Sequence, residues 1–291
     1  MKNFHCLPVV VMTVIGLLSA PSCKKESGPA AVFPKIQLTT STTLGTYLTD
    51  SLNNALYYFS NDFDGKSNCT GGCLNIWPIY YAGDNLTQAQ LPSGLEITDF
   101  GTITTSTGVK QTTYKTWPLY YYAPAVNGTN VRENPGETKG EGVGGIWFVA
   151  KPDYSIMLVN AQLVGNDGKN YKNDYTEGTG KTVYFSDMKG VTLYAFARDS
   201  FNINKYTKSD FSNNPTWPLY ETDKTVAPSI IDKTLFSSIN VFGKKQLTYK
   251  GWPMYYFGAD SMKRGLNKGI SVPTPGSLWP VITKDVVAAK K

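Results

Sequence analysis

The chain of 291 residues contains one histidine, His5, which lies in an apolar amino-terminal stretch. The rest of the sequence lacks the side chain on which Ser-His-Asp and Cys-His catalysis, His-ligated zinc sites and the Cys-x-x-Cys-His haem attachment depend. Catalysis would have to rely on carboxylates, Lys or Tyr, and no pair of acids suited to glycoside hydrolysis is visible. We therefore expect a protein that is not an enzyme and that carries no cofactor.

A long hydrophobic run is also missing from the sequence. Residues 7–18 are mostly apolar, which is too short for a membrane span but typical of the core of a signal peptide. The small residues that follow resemble the cleavage box of bacterial lipoproteins, which predicts a lipoprotein signal peptide over residues 1–22 and a lipid anchor on Cys23. Pro21 departs from the strict box, so ordinary signal cleavage that leaves Cys23 as a spare thiol is the alternative.

The segment that begins with Cys23 contains many small and polar residues, and we expect residues 23–43 to form a tether. Residues 24–26, Lys-Lys-Glu, resemble the surface-export signal of some bacterial lipoproteins, although a solvated tether explains them equally well. The predicted location is therefore the outer membrane, reached through the lipid anchor, with the protein facing either the periplasm or the cell surface.

The charge balance is mild. The chain has 28 Lys and Arg residues against 22 Asp and Glu residues, which gives a net charge of +6, and it has no block of five like charges. A basic arm of the kind that binds nucleic acid is missing from the sequence. Ordinary solubility explains the balance, and no nucleic-acid partner is expected.

The most informative feature that is present is an internal repeat. Residues 111–121 return as residues 246–256, with eight of the eleven positions identical at an offset of 135. A second element, residues 47–62, returns as residues 184–199 with its Tyr, Leu, Phe and Asp positions spaced alike. Repeats of this kind predict a fold that is built from two homologous modules in tandem.

Each predicted module is all-β. Short alternating segments rich in Tyr, Trp and Phe are separated by Gly, Pro and Asn turns, which is the pattern of short antiparallel strands and hairpins. Only residues 88–91 and 229–236 indicate short helices. We expect modules at residues 44–153 and 154–291 with a pseudo-twofold relation. They could be separate domains or one closed unit, and strands in the connection favour close packing.

These motifs resemble a known family. The Leu-Tyr-x-Phe-x-x-Asp motif at residues 56–62, the cysteine loop at residues 65–73 and the Trp-Pro pair at residues 77–78 are similar to the bacterial secreted repeat of unknown function. That family consists of predicted lipoproteins with a Tyr-x-aromatic-x-x-Asp motif. The resemblance implies an exported, lipid-anchored, β-rich protein of unassigned activity.

Cys69 and Cys73 are the only cysteines of the mature chain apart from Cys23. Outside the cytoplasm we expect this pair to form a disulfide, because the glycines between them let so short a loop bend. A redox-active or metal-binding dithiol is the alternative. Ser209 and Asn213 stand at the aligned positions of the second copy, so any property that needs the pair belongs to the first copy.

Two acidic residues, Asp62 and Asp64, precede Gly65 in a pattern that loosely resembles the start of a calcium loop. No Glu closes such a loop about twelve residues later, and Asp64 has no acidic counterpart in the second copy. We therefore expect no metal site, and Asp side chains that stabilise their own turns are the simpler interpretation.

Aromatic side chains supply the remaining candidates. Tyrosines come in adjacent pairs, and because side chains alternate on a strand, one of each pair must face away from the core. Burial in the core explains most of the other aromatics. The predicted binding surface for a glycan or a protein consists of Tyr80, Tyr81, Trp117, Tyr121, Tyr122, Trp252 and Tyr256.

Two hypotheses for function follow from these features. The first is a lipid-anchored envelope protein that binds a protein or glycan partner, or scaffolds a complex, and it rests on the paired aromatics of a chain without mature histidines. The second is a redox accessory of envelope electron transfer that uses Cys69 and Cys73.

Overall fold

The first half of the fold, residues 33–153, consists of short strands. The computed structural model describes residues 33–291, so the predicted signal peptide and the anchor residue Cys23 lie outside the described residues. The strands of the first half are β1 (Ile36–Ser41), β2 (Gly45–Asp50), β3 (Tyr57–Phe59), β4 (Phe100–Thr104), β5 (Lys110–Tyr114), β6 (Trp117–Pro118), β7 (Ala125–Val126), β8 (Thr129–Asn130) and β9 (Trp147–Val149).

The second half, residues 154–291, is built in the same way. Its strands are β10 (Met157–Val164), β11 (Asn170–Tyr171), β12 (Lys181–Ser186), β13 (Tyr194–Ala195), β14 (Phe236–Val241), β15 (Lys244–Tyr249) and β16 (Trp252–Tyr255). The described helices are one α-helix, α1 (Cys73–Ile76), and short 3-10 helices at Gln88–Gln90, Ile97–Asp99, Val143–Gly145, Lys233–Leu235, Gly258–Asp260 and Lys268–Ser271. The predicted all-β class is confirmed.

β1 lies inside the segment that was predicted to be a tether, and that prediction is wrong from Ile36 onward. β1 pairs antiparallel with β2 along its whole length, from Ile36 opposite Asp50 to Ser41 opposite Gly45. The side chain of Ile36 has no exposed surface. The Thr and Ser residues of β1 resemble a linker in composition, but they lie on a strand whose apolar positions face the core.

The sheets are small and antiparallel. In the first half β4, β5 and β6 form one sheet with β4 at its edge, while β3 pairs with β9 and β7 with β8. In the second half β10 lies between β11 and β12, and a four-stranded sheet has the order β13-β16-β15-β14, with β14 at its edge. β4 in the first half and β14 in the second are therefore edge strands, each hydrogen-bonded to a neighbouring strand on one side only.

The two halves share a hydrophobic core. Tyr58, Trp117 and Phe148 of the first half belong to the same buried cluster as Leu158 and other side chains of the second half. The backbones of the two halves are also hydrogen-bonded, because the N–H of Asn160 in β10 donates to the carbonyl oxygen of Ser60 in the first half at 2.9 Å. Residues 33–291 form one compact unit, in agreement with the expected close packing of the two halves.

Each half contains a column of four aromatic rings with neighbouring centroids 3.6 to 4.6 Å apart. The column of the first half contains, in order, Phe59, Trp147, Trp77 and Tyr122. The column of the second half contains Phe196, Trp279, Trp217 and Phe257. The Trp-Pro pairs at residues 77–78 and 217–218 supply a central ring of each column.

Candidate functional site

A groove of about 840 Å³ lies where the two halves meet, and we call it the interhalf groove. A space of this size suits a small ligand or a short segment of polypeptide. Its lining is drawn from residues 98–101 and 113–116 of the first half, the connection at 152–155, and residues 187–189, 220–224 and 256–264 of the second half.

The β4–β5 hairpin forms the wall that belongs to the first half. Gly101 and its cross-strand partner Thr113 line the groove, and so do Asp99 and Lys115, which lie directly beyond the paired ends of the two strands. Asp99 and Lys115 form a half-buried ion pair at 2.9 Å. The wall therefore carries a neutralised charge pair beside the side-chain-free surface of Gly101.

Arg264 reaches across from the second half and binds the first half. Its Nε donates to the carbonyl oxygen of Phe63 at 2.7 Å, its Nη1 to that of Thr116 at 2.8 Å and its Nη2 to that of Asp62 at 3.1 Å. Burial lowers the pKa of Arg264 to about 10, while nearby carboxylates oppose that shift. The guanidinium thus stays charged at neutral pH and fixes the position of one half against the other.

The turn that carries Met188 is fixed on the opposite wall. The indole N–H of Trp117 donates to the carbonyl oxygen of Met188 at 3.0 Å. Asp187 holds the turn from within, because one carboxylate oxygen accepts from the N–H groups of Lys189 and Val191 at 2.8 and 2.9 Å. Its other oxygen accepts from the hydroxyl of Tyr256 at 2.9 Å. Burial raises the pKa of Asp187, and these hydrogen bonds limit the rise.

Tyrosine rings contribute apolar surface to the groove. Tyr220 and Tyr256 pack edge to face with centroids 5.4 Å apart, and the hydroxyl of Tyr220 donates to the carbonyl oxygen of Ser155. Tyr154 donates its hydroxyl to the carbonyl oxygen of Val149 at 2.9 Å. Because the hydroxyls of all three tyrosines that line the groove already have partners, these tyrosines offer a ligand mainly ring surface.

The charges of the groove are not balanced by ion pairs. Asp99 is paired with Lys115, and Glu221 is paired with a lysine of β15 at 2.6 Å. Within residues 33–291, no salt bridge is formed by three basic residues of the lining, Lys189, Lys224 and Arg264. The lining acid Asp153 also forms none. Asp187 forms none either, because its hydrogen-bond donors are neutral groups, so three cations and two acids of the lining lie outside ion pairs.

Three residues of the predicted aromatic binding surface are buried, and for them the prediction is wrong. Tyr80, Trp117 and Tyr121 are 3, 2 and 8 % exposed. The polar atom of each side chain donates a hydrogen bond to a residue far away in the sequence, which offsets the cost of burying that atom. For Tyr121 the acceptor is Asp50, at 2.9 Å. These side chains belong to the core, and Trp117 contributes to the groove only by anchoring Met188 and Arg264.

The other four predicted residues are partly exposed but do not form one surface. Tyr81 donates to Asp84 at 2.5 Å, away from the interhalf groove, and Tyr122 ends an aromatic column. Trp252 donates its indole N–H to the carbonyl oxygen of Val287 at 2.7 Å. Of the seven residues, Tyr256 alone lines the groove. Arg264 and Lys224 were missed, because they lie outside the repeated motifs.

The aspartates of the loosely calcium-like segment stabilise their own loop. Asp62 is fully buried, and its oxygens accept from the N–H of Asn68 and the hydroxyl of Tyr120, both at 2.7 Å. Asp64 accepts from the N–H of Lys66 at 3.0 Å and from the side-chain amide of Asn68 at 2.9 Å. In the described part of the chain, no three His, Cys, Asp or Glu side chains are grouped so that they could hold a metal ion.

Cys69 and Cys73 form the predicted disulfide, with their Cα atoms 5.4 Å apart. Cys69 is 1 % exposed and packs in a cluster with Trp77 and Trp147, while Cys73 begins α1. The disulfide therefore joins the cysteine loop to an aromatic column of the first half. It does not line the interhalf groove.

Comparison with protein families gives a match to the family described as a secreted repeat of unknown function, over residues 38–80. The matched segment contains β2, β3, the disulfide loop and Trp77. The match confirms the resemblance and supports an exported protein of unassigned function. Neither the curated proteins nor the solved structures contain a match. Among residues 33–291, no helix is long and apolar enough to cross a membrane.

Proposed function

We propose that this protein is a lipoprotein of the outer membrane, anchored through Cys23 and facing the periplasm or the cell surface, that binds an envelope partner in the interhalf groove and catalyses no reaction. The observation that carries the proposal is the groove itself, whose walls come from both halves and combine ring surface with unpaired charge. The match to a secreted repeat and the small residues before Cys23 support export and anchoring.

The chemistry of the lining supports binding more than catalysis. Asp99 is held in an ion pair, and Asp187 accepts three hydrogen bonds that fix its turn. The mature chain has no histidine to act as a general base near neutral pH. The burial of Cys69 inside an aromatic cluster also disfavours thiol exchange, which requires access to a sulfur atom.

The test compares envelope material retained by the immobilised mature protein and by two charge variants. Lys224→Glu reverses an unpaired charge of the groove, whereas Lys181→Glu reverses an exposed charge at the start of β12, outside the groove. We expect Lys224→Glu to lose the specifically retained protein or glycan and Lys181→Glu to keep it. Equal retention by both variants, or no retention by the natural chain, contradicts the proposal.

A further inference from the structure

β4 borders the interhalf groove and has an open edge. It pairs with β5 on one side, from Phe100 opposite Tyr114 to Thr104 opposite Lys110, and it is the last strand of its sheet. The sequence of β4, Phe-Gly-Thr-Ile-Thr, contains neither the Lys nor the Pro that commonly protects an exposed edge strand. An edge of this kind is able to accept a further strand.

The backbone of Thr102 points to that open edge. Its cross-strand neighbour Thr112 donates its N–H to the carbonyl oxygen of Tyr80 and accepts from the N–H of Leu119, both at 3.0 Å and both on the side away from β4. Opposite residues of an antiparallel pair either exchange both hydrogen bonds or both point away from each other. Thr102 therefore directs its N–H and C=O outward, where no partner occurs within residues 33–291.

The two faces of this edge look onto two different grooves. Thr113 lines the interhalf groove, while Thr102 and Thr112 line a second groove of about 260 Å³, and Gly101, which has no side chain, borders both grooves. This second groove is also lined by Leu86 and other residues that precede β4. Because side chains of a strand alternate between faces, a strand added to β4 would place successive side chains in the two grooves in turn.

The charges of the two grooves differ. In the interhalf groove the cations Lys189, Lys224 and Arg264 lie outside ion pairs and outnumber the two acids in that position, Asp153 and Asp187. In the second groove the acid Asp84 is paired with Lys110 at 2.6 Å. Acidic side chains are therefore favoured on the face of an added strand that meets the interhalf groove. Uncharged side chains suit the other face.

We propose that β4 is a strand-addition site for an extended polypeptide segment whose acidic side chains enter the interhalf groove. The segment exchanges two backbone hydrogen bonds with Thr102, and its alternate side chains occupy the second groove. This inference rests on the proposed binding role of the interhalf groove and specifies the class of partner as a polypeptide. A glycan has no row of backbone N–H and C=O groups with which to extend the sheet.

The second half provides a natural contrast. Its edge strand β14 is paired on one side by β15, and Ser238 is an exposed residue near its middle. The groove of about 680 Å³ beside β14 is lined in part by residues 285–288 of the carboxyl-terminal segment. The chain's own segment contributes to the wall there, so we expect β4 to be the preferred edge.

The test uses two synthetic peptides and the purified mature protein. One peptide alternates Glu with Val, and the other has Lys in place of every Glu. We expect the Glu peptide to bind at least about tenfold more tightly than the Lys peptide, with an affinity that falls as salt is added. Binding should also slow hydrogen exchange at the amide of Thr102, a readout that requires no substitution.

Three variants test the backbone contact. Thr102→Pro removes the outward N–H without removing a hydrogen bond of the β4–β5 ladder, since Pro is compatible with an edge strand. We expect it to weaken binding of the Glu peptide by about tenfold or more. Thr102→Val keeps the N–H, and Ser238→Pro makes the same change at β14. Both should bind as the natural chain does.

Several outcomes overturn the inference. They are no binding of the Glu peptide, equal binding of the two peptides, unchanged exchange at Thr102 on binding, or equal effects of Thr102→Pro and Ser238→Pro. If Lys224→Glu abolishes envelope retention while Thr102→Pro leaves peptide binding unchanged, strand addition is wrong and the binding role of the groove stands. Retention of a glycan by the groove would also exclude a polypeptide as its partner.

Discussion

The guanidinium of Arg264 lies over the indole ring of Trp117, with its central carbon 4.4 Å from the ring centroid. The two residues belong to different halves of the chain, and Trp117 also binds the second half through Met188. A cation held over Trp and bonded to three backbone carbonyls ties the halves together at the rim of the interhalf groove. The shape of the groove thus depends on this contact.

Removing the Arg264 contact should destabilise the whole fold. Arg264→Ala leaves the carbonyl oxygens of Phe63, Thr116 and Asp62 without their charged donor, and we expect the free energy of unfolding to fall by about 2 kcal/mol. Arg264→Lys should recover only part of the loss, because an ammonium group lacks the planar geometry of the guanidinium. Urea unfolding measures the effect. Lys263→Ala, at an exposed neighbour, is the control, and equal stability of the Arg264 and Lys263 variants contradicts the account.

Stability should decrease as the pH rises from about 4 to about 7 because of two buried carboxyl groups. Asp62 and Asp199 each accept from a tyrosine hydroxyl and a backbone N–H. Burial outweighs these bonds and raises the pKa of each carboxyl to about 7. The unfolded chain releases these protons near pH ~3.9. Between the two pKa values the folded state therefore binds more protons, so raising the pH favours unfolding.

Each of these carboxyl groups contributes a slope of at most about 1.4 kcal/mol per pH unit, and stability should become level above pH ~7 with respect to them. Urea unfolding at a series of pH values measures the slope. Asp62→Asn and Asp199→Asn should each make it shallower, because an amide does not titrate. A stability that rises with pH through this window, or Asn variants with the slope of the natural chain, would show that the raised pKa values are incorrect.

The disulfide should stabilise the protein modestly. The loop between Cys69 and Cys73 is short, with a sequence separation of 4, and a ring of that size contributes about 2 kcal/mol in the chain-entropy description. We expect Cys69→Ser/Cys73→Ser to fold and to unfold at a lower urea concentration. A chain that begins at residue 24 should show no free thiol when denatured. Free thiols in the oxidised, exported protein would contradict the assignment.

The lipid anchor has a direct test in cells. Cys23→Ser removes the thiol that the lipoprotein pathway modifies, so we expect the variant to move from the membrane fraction to the soluble envelope fraction. Cys69→Ser/Cys73→Ser should stay with the membrane. Membrane association of Cys23→Ser at the level of the natural chain would contradict anchoring at this residue.

Local patterns were sufficient to predict the class of the fold. Alternating aromatic segments and tight turns are properties of neighbouring residues, and so is the disulfide across Thr-Gly-Gly. β1 could not be recognised in the same way. Its Thr and Ser residues have the composition of a linker, and only the pairing with β2 and the burial of Ile36 distinguish it.

The site could not be predicted because its parts are distant in sequence. A buried tyrosine needs a partner for its hydroxyl, and for Tyr121 that partner, Asp50, lies 71 positions away. Arg264 and Asp62 are separated by 202 positions. Composition and periodicity report neither contact, so the interhalf groove follows from the packing of the halves and not from any one motif.

Site-specific photo-crosslinking in intact cells shows whether the interhalf groove binds a partner. Met262 lines the groove and is 53 % exposed, whereas Phe242 lies outside it in the β14–β15 turn and is 57 % exposed. A photoreactive phenylalanine analogue is placed at one position or the other in the full-length chain. We expect one discrete crosslinked product from position 262 and none from position 242. No product from position 262, or the same product from both positions, would contradict it.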